Sequence, residues 1–226
     1  MTRILLLGAL ATAACASTEP PRAHEQHGEG HRAHTKHHSF ADAERWSRTF
    51  DDPARDAWQK PDVVMAALGL SAADVVADIG AGTGYFTVRL ARAAGKVLAV
   101  DVEPTMVEFI AQRAAKEGLD NIVAVLGAAD DPKLPEKPSA VLVVDTAHHI
   151  EDRPAFFAKV RAQSQPGVRL VIVEFHADRE LAVGPPVAMR ISHQQLTTDL
   201  RAAGFQAVAV DVDALPNQYI ATYRAP

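Results

Sequence analysis

Residues 75–91 read VVADIGAGTGYFTVRLA, and this stretch decides the fold. It opens with an apolar run of the length of one buried strand, interrupted only by the carboxylate of Asp78. A glycine-rich turn and a segment typical of a helix follow it. Glycine lets the backbone approach a ligand closely, and a helix N-terminus presents free N–H groups. The stretch therefore predicts a strand, a ligand-binding turn and a helix in succession.

Strands and helices alternate on both sides of this stretch, which is typical of βαβ units and a parallel sheet. We expect an α/β, Rossmann-like, doubly wound fold: a mostly parallel seven-stranded sheet with an antiparallel last strand and helices on both faces. The predicted strands are 75–79, 96–100, 122–126, 139–144, 168–175, 206–212 and 218–223, and the predicted helices are 42–50, 62–70, 85–94, 104–117, 154–164 and 192–203. A further short helix is expected after residue 52, with Pro53 at its first position.

Composition limits the classes of function. The chain has 226 residues, which suits one domain with a tail. Hydrophobic residues make up 48% and charged residues 23%, as in ordinary globular proteins. The formal net charge of −5 gives no electrostatic reason to expect a nucleic-acid partner.

The spacing of the glycines separates two kinds of nucleotide cofactor. The dinucleotide fingerprint is GxGxxG, whereas Tyr85 stands at the third glycine position and the pattern here is GxGxG. About 20 residues later, an apolar strand ends in Asp101, where a carboxylate of this fold accepts hydrogen bonds from ribose hydroxyls. The alternative interpretation of Asp101 is a capping residue of the next helix.

These motifs resemble those of class I S-adenosylmethionine-dependent methyltransferases, and the resemblance covers about residues 62–224. It also includes a fourth motif at residues 144–149, VDTAHH, and the segment AAGF at 202–205. It implies S-adenosylmethionine as cofactor, with adenine recognised by the turn that holds Ala129 and Asp130. The cofactor-binding residues that the resemblance implies are Asp78, Gly80, Ala81, Gly82, Thr83, Gly84, Asp101, Val102, Met106, Ala129, Asp130 and Asp145.

Two further groups of residues are candidates around the reaction centre. Residues 50–61, FDDPARDAWQKP, resemble the N-terminal lid of some small-molecule methyltransferases, and the lid residues would be Arg55, Trp58 and Gln59. The same helix could equally serve only for packing. Candidate bases are Asp145, His148 and His149, because carboxylates and imidazoles transfer protons near neutral pH. Packing of the histidines against the sheet is the alternative.

The predicted function is methyl transfer to a small-molecule or lipid-like acceptor, without nucleic acid and without a metal in the site. One alternative is a module that binds S-adenosylmethionine or S-adenosylhomocysteine without turnover. Another is a nicotinamide-dependent oxidoreductase, which Tyr85 and the lack of an evident Tyr-x-x-x-Lys pair disfavour.

The N-terminus has the layout of an export signal. Arg3 precedes a short apolar run, and small residues surround Cys15, the only cysteine. Residues 12–15, TAAC, resemble a bacterial lipobox, which implies lipidation of Cys15 and a lipid-anchored, periplasmic or secreted protein in the cell envelope. A cytoplasmic protein is the alternative. We divide the chain into a signal at 1–17, a spacer at 18–39 and the methyltransferase domain at 40–226, with lid helices at 40–61.

The spacer is rich in histidine and poor in apolar residues, and we expect it to be disordered. Imidazole favours zinc, copper and nickel, so weak metal binding is one interpretation of the spacer. A plain solvated linker is the alternative. The histidines of this segment are His24, His27, His31, His34, His37 and His38.

Overall fold

A computed structural model describes residues 42–226. The predicted signal, Cys15 and the spacer lie outside the described residues. Seven helices occur in the described part: α1 (Ala43–Phe50), α2 (Arg55–Gln59), α3 (Pro61–Leu68), α4 (Thr87–Ala93), α5 (Pro104–Glu117), α6 (Arg153–Ala162) and α7 (His193–Ala202). Short 3₁₀ turns occur at Ala147–His149 and Val187–Met189.

A single seven-stranded sheet forms the centre of this part, in the order β3-β2-β1-β4-β5-β7-β6. The strands are β1 (Val75–Ile79), β2 (Lys96–Asp101), β3 (Ile122–Leu126), β4 (Ala140–Val144), β5 (Arg169–Phe175), β6 (Gln206–Asp211) and β7 (Gln218–Arg224). The first five strands are parallel, and β7 is antiparallel to both β5 and β6. The predicted fold is confirmed, including its antiparallel last strand.

Helices cover both faces of the sheet because the central strands are apolar on both sides. One face packs against α6 and α7 through residues such as Phe157 and Leu200. The other face packs against α3 and α4 through residues such as Val64 and Leu90. All five residues of β4 are buried, which explains why this strand reads as a continuous apolar run.

Two predicted helix starts differ from the observed starts by two residues, and both differences come from turns. The helix expected at Pro53 begins at Arg55, because Asp52 Oδ1 accepts the N–H of Ala54 at 2.9 Å and holds a turn there. The helix expected at residue 85 begins at Thr87, because Gly84 has a φ angle of 87° and the chain leaves the glycine turn only after it.

Candidate functional site

The carboxyl ends of the five parallel strands meet at one edge of the sheet, which we call the site edge. The glycine turn follows β1, Asp101 ends β2, and Asp145 follows β4. The chain reverses its direction across the sheet between β1 and β4. Open α/β sheets bind ligands at such a reversal, outside the carboxyl ends of the strands.

The backbone of the glycine turn adopts φ angles that residues with a side chain rarely take. Gly80, Gly82 and Gly84 have φ angles of 77°, 55° and 87°. A Cβ atom on Gly80 would lie 2.1 Å from Oγ1 of Thr146, so only glycine fits at this position. The N–H of Gly80 donates to the carbonyl of Val100 at 2.8 Å, which fixes the turn to β2.

Asp101 is tied into the same turn. Its Oδ2 accepts the N–H of Gly82 at 2.8 Å, and its Oδ1 accepts the N–H of Glu103 at 3.0 Å. Burial raises the pKa of Asp101, although these backbone N–H groups act in the opposite direction. The carboxylate predicted to hold a ribose therefore also shapes the turn, a role that the sequence did not indicate.

Asp78 lies beneath the turn. It is 3% exposed, and its Oδ2 accepts the hydroxyl of Thr87 at 2.6 Å. The pKa of Asp78 is raised to about 6, mainly by burial and also by the nearby charge of Asp101, while the hydrogen bond from Thr87 acts in the opposite direction. This hydrogen bond joins the end of β1 to the first residue of α4, so Asp78 supports the turn from inside.

The turn offers one buried hydroxyl to a ligand. Thr83 is buried, and its Oγ1 has no hydrogen-bond partner among the residues that the structure describes. A buried hydroxyl without a partner costs roughly 1–3 kcal/mol, so a polar group of a bound molecule would be stabilised there. The amino-acid end of S-adenosylmethionine is such a group, and the turn fits it.

Asp130, the residue predicted to contact adenine, lies on the surface. Its side chain is 82% exposed, and its Oδ2 lies 2.8 Å from Nζ of Lys159. The N–H of Ala128 donates to the carbonyl of Asp131 at 2.7 Å, which closes the turn after β3. An adenine contact from Asp130 stays a prediction, and it would require the ion pair with Lys159 to break or to be shared.

The remaining predicted cofactor contacts differ in exposure. Val102 is 54% exposed beside Asp101, whereas Met106 is buried in the first turns of α5. Ala129 is exposed. Val102 is therefore free to cover an apolar surface of a ligand, while Met106 contributes to the packing of α5.

The predicted lid lies over the glycine turn. Carbon atoms of the Phe50 ring would lie 3.5 and 3.7 Å from a Cβ atom built on Gly82. The Arg55 side chain donates from Nη1 to the carbonyl of Phe50 at 2.9 Å. Trp58 packs against Phe175 at the end of β5, with ring centres 5.9 Å apart. Helices α1 and α2 therefore cover the turn and reach the neighbouring strand ends.

A closed ring of hydrogen bonds fastens α2 to the site edge. Arg55 Nε donates to Gln59 Oε1 at 3.1 Å, and Gln59 Nε2 donates to Gln218 Oε1 at 2.6 Å. Gln218 Nε2 donates to Asp145 Oδ1, and Arg55 Nη2 lies 3.4 Å from Asp145 Oδ2. All three predicted lid residues thus lie at the site edge, and two of them belong to this ring.

Asp145 follows β4 with a φ angle of 53°, which is uncommon for a residue with a side chain. The pKa of Asp145 is raised to about 7, mainly by burial and also by the charge of Glu174. The charges of Arg55 and His148 and the hydrogen bond from Gln218 act in the opposite direction. Asp145 can therefore exchange a proton near neutral pH.

His148 and Glu174 form a buried pair next to Asp145. Nδ1 of His148 lies 2.8 Å from Oε2 of Glu174, and the backbone N–H of His148 donates to Oε1 at 3.1 Å. Burial lowers the pKa of His148, but pairing with Glu174 raises it more, and the net shift is upward. The His149 ring centre lies 4.1 Å from that of His148. His148 therefore has a buried carboxylate partner.

Sequence reasoning missed Glu174 and Gln218, although both are fully buried. Glu174 carried a signal, because a carboxylate inside the apolar run of residues 170–175 needs a partner when it is buried. Gln218 carried none, because its contacts depend on the antiparallel register that pairs it with Phe175.

Two kinds of feature are absent from residues 42–226. No group of three or more His, Cys, Asp or Glu side chains there could hold a metal ion. No helix in this part is long and apolar enough to cross a membrane.

Part of the chain, including the glycine turn, is similar to known proteins. Residues 76–167 match the family model described as "Methyltransferase domain". The chain is 31% identical over 112 residues to the "Demethylmenaquinone methyltransferase" of Tropheryma whipplei, and this covers 50% of the chain and 46% of that protein. It is 33% identical over 138 residues to the "Probable ribosomal RNA small subunit methyltransferase A" of Methanosarcina acetivorans, and this covers 61% of the chain and 48% of that protein. The chain thus spans about half the length of these relatives.

Solved structures share the fold over nearly their whole length. A SAM-dependent methyltransferase from Aquifex aeolicus superimposes with a TM-score of 0.75 at 23% identity, covering 82% of this chain and 99% of that one. A structure titled "DhpI-SAH complex structure" superimposes with a TM-score of 0.64 at 26% identity, covering 83% of this chain and 93% of that one. These comparisons support the predicted enzyme class and the predicted cofactor.

Proposed function

We propose, on the premise that residues 76–167 are a methyltransferase domain, that this chain transfers the methyl group of S-adenosylmethionine to a small-molecule or lipid-like acceptor. The observation that carries the proposal is the glycine turn, with its strained backbone, the unpartnered Thr83 hydroxyl and the attached Asp101. When bound, the cofactor would supply an electrophilic methyl group on a sulfonium ion.

The residues around the turn have separate roles in this proposal. Gly80, Gly82 and Thr83 would hold the amino-acid end of the cofactor, and Asp101 would accept hydrogen bonds from its ribose. The ring of Phe50 and the side chain of Arg55 cover the turn and would exclude water from the reaction centre. These contributions are binding and orientation, which account for much of the rate of a two-reactant transfer.

A base is needed only when the acceptor atom must lose a proton. His148 is the candidate that the contacts favour, because the Glu174 carboxylate accepts the proton of Nδ1 and leaves Nε2 as the acceptor nitrogen. In this role Glu174 is a positioning residue that fixes the tautomer of His148. Asp145 is the second candidate, because its pKa of about 7 lets it take up a proton near neutral pH.

Two observations favour a small acceptor over RNA, despite the ribosomal RNA methyltransferase name of one relative. The formal net charge is −5, whereas RNA binding usually relies on a basic face. In addition, α1 and α2 cover the glycine turn and leave less room for a large substrate.

Calorimetry tests the cofactor assignment. The full chain is titrated with S-adenosylmethionine, S-adenosylhomocysteine and NAD in parallel, and we expect the first two to bind. Gly82→Val should abolish that binding without unfolding the domain. Gly118→Val is the matched control, because Gly118 also has a positive φ angle, of 67°, but lies at the end of α5 with no atom within 4 Å of its Cβ position.

The outcomes separate the candidate functions. Binding of NAD in place of S-adenosylhomocysteine would establish an oxidoreductase. Binding of S-adenosylhomocysteine without methylation of any acceptor in a mixture of small phenols, amines and lipids would support a binding module. Equal loss of binding in both glycine variants would mean that strain, rather than blockage of the turn, causes the loss.

We propose further that the chain is exported and anchored through lipid on Cys15, with the segment up to residue 39 as a tether to the folded domain. The support is the sequence layout of residues 1–17. The histidines of the tether would bind Zn²⁺ or Ni²⁺ weakly. Titration of the full chain with Zn²⁺, compared with a variant in which these histidines are alanine, tests the metal binding.

A further inference from the structure

Tyr85 connects the glycine turn to the lid, and the proposed function assigns this residue no role. It directly follows Gly84 and is 5% exposed. Its hydroxyl donates to Oδ1 of Asp56, a residue of α2. The two residues are 29 positions apart in sequence, so this hydrogen bond joins the turn to a lid helix.

Two arginine side chains lie over the ring of Tyr85. The guanidinium carbon of Arg55, in α2, is 4.1 Å from the ring centre, and that of Arg89, in α4, is 4.0 Å away. Arg89 also donates to the backbone carbonyl of Tyr85 at 2.7 Å and to Oδ1 of Asp56 at 3.1 Å. Cation–π contacts stabilise most where water is excluded, as it is around this buried ring. We call Arg55, Asp56, Tyr85 and Arg89 the lid anchor.

The hydroxyl of Tyr85 is the donor in this anchor. Burial raises the pKa of Tyr85, and the hydrogen bond to Asp56 raises it further, whereas the charge of Arg89 acts in the opposite direction. The net shift is upward, so the phenol keeps its proton near neutral pH. Replacing the hydroxyl with hydrogen would therefore remove a bond that the turn donates to the lid.

The anchor reaches the glycine turn a second time through Arg55. Nη1 of Arg55 donates to the carbonyl of Phe50 at 2.9 Å, and the ring of Phe50 lies 3.5 Å from the Cβ position of Gly82. A guanidinium group is planar, so its stacking on Tyr85 also fixes the directions of its N–H groups. Tyr85 therefore controls, through Arg55, how the end of α1 lies on the turn.

We propose that Tyr85 is a positioning residue that holds the lid closed on the glycine turn, with its ring on Arg55 and its hydroxyl on Asp56. A ligand beneath a closed lid leaves only when the lid opens, so Tyr85 also sets the lifetime of a ligand bound at the turn. That this ligand is S-adenosylmethionine or its product rests on the proposed function.

Tryptophan fluorescence reports on the lid alone, because the only two tryptophans of the chain, Trp46 and Trp58, belong to α1 and α2. The full chain is measured without cofactor, and quenching by acrylamide records how accessible the two rings are. Tyr85→Phe keeps the aromatic ring but loses the hydrogen bond to Asp56, so its quenching constant should exceed that of the wild type. Tyr85→Leu also loses the stacking on Arg55 and should exceed both.

The dissociation rate of S-adenosylhomocysteine is the second readout. Dissociation from the folded Tyr85→Phe variant should be roughly 2- to 12-fold faster than from the wild type, since one hydrogen bond that opposes opening of the lid is lost. Asp56→Ala should also speed dissociation. Adding Tyr85→Phe to Asp56→Ala should cause no further increase, because the acceptor of the hydroxyl is already absent.

Tyr223→Phe is the matched control. It removes a buried hydroxyl that lies 3.1 Å from Oγ1 of Thr197, at the end of the sheet opposite the site edge. It should leave both readouts unchanged even if it lowers stability. A merely structural role for Tyr85 would likewise lower stability without changing either readout in the folded variant.

Three results would overturn the proposal: wild-type quenching in Tyr85→Phe, wild-type dissociation from this variant, or equal changes in Tyr223→Phe. A wild-type chain that does not bind S-adenosylhomocysteine would overturn the proposed function instead. The quenching measurement contains no cofactor, so it would still decide whether Tyr85 holds the lid.

Discussion

Replacing Asp101 with alanine separates the two roles of this carboxylate, one in the glycine turn and one toward a cofactor. The change removes two acceptors, those for the N–H groups of Gly82 at 2.8 Å and Glu103 at 3.0 Å. Hydrogen bonds to a charged group contribute about 1.5–3 kcal/mol each, but the freed N–H groups lie at a strand end that water can reach. The burial that raises the pKa of Asp101 is also relieved. We therefore expect the free energy of unfolding to fall by about 1–3 kcal/mol.

The loss of cofactor affinity should be larger than a loss of folded protein alone would cause. Removing the charged acceptor of the ribose hydroxyls costs about 1.5–3 kcal/mol, so the Kd for S-adenosylhomocysteine should rise roughly 10- to 150-fold. Urea unfolding gives the first quantity, and calorimetry on the folded variant gives the second. Asp101→Asn keeps one acceptor oxygen and should fall between the wild type and the alanine variant.

Asp130→Ala is the matched control, because Asp130 is the carboxylate after the next strand and is exposed in an ion pair with Lys159. It should unfold like the wild type, and its Kd measures the adenine contact that the sequence predicts. A Kd that stays within twofold of the wild type in a folded Asp101→Ala variant would refute the reasoning, and Asp101 would then only shape the turn.

Three further predictions concern other parts of the chain. Gly80→Ala should lower the free energy of unfolding, measured in urea, by about 2–5 kcal/mol, because of the positive φ angle and the 2.1 Å approach to Thr146. Adding Thr146→Gly should recover part of this loss. Additive losses of the two substitutions would show that the side chains do not clash. Because the pKa of Asp145 is raised, the folded state binds the carboxyl proton of Asp145 more tightly than the unfolded state does. The contribution of this group to stability is therefore present below about pH 4 and is lost as pH rises to about 7. Asp145→Asn should reduce this loss of unfolding free energy by about 2–4 kcal/mol, measured by denaturation at several pH values. An unchanged dependence of stability on pH would assign the loss to other groups. Cys15→Ser should move the protein from the membrane fraction to the soluble fraction of a bacterial host. A wild-type protein that is found in the soluble fraction with an intact Met1 would contradict the lipid anchor.

The strands could be predicted because each depends on a local signal. The parallel strands are short apolar runs bounded by glycine or proline, and β1, β3 and α5 have the predicted bounds. The errors occurred where a turn competes with a helix, as at Pro53, because a side-chain contact such as that of Asp52 with Ala54 decides the outcome.

The candidate site could be predicted only in part. Gly80 and Asp101 follow from spacing along the chain, and the structure places both at the site edge. The contacts of Gln218 and Glu174 could not be predicted, because they depend on which residues the antiparallel pairing of β5 and β7 brings together. The position of Asp130 in a surface ion pair also depends on α6, 29 residues further along the chain.

The ring of hydrogen bonds at the site edge has a consequence for the order in which the protein is made. Gln59 and Gln218 are 159 residues apart in sequence, yet their side chains are hydrogen-bonded. A ribosome completes the lid helices early and supplies their partner in β7 late. Until residue 218 has emerged, Gln59 lacks the side chain that joins it to Asp145, although Arg55 contacts that carboxylate directly. The growing chain can therefore form its central strands and the direct contact of Arg55 with Asp145, but the ring of hydrogen bonds closes only after synthesis has passed the last hairpin of the sheet.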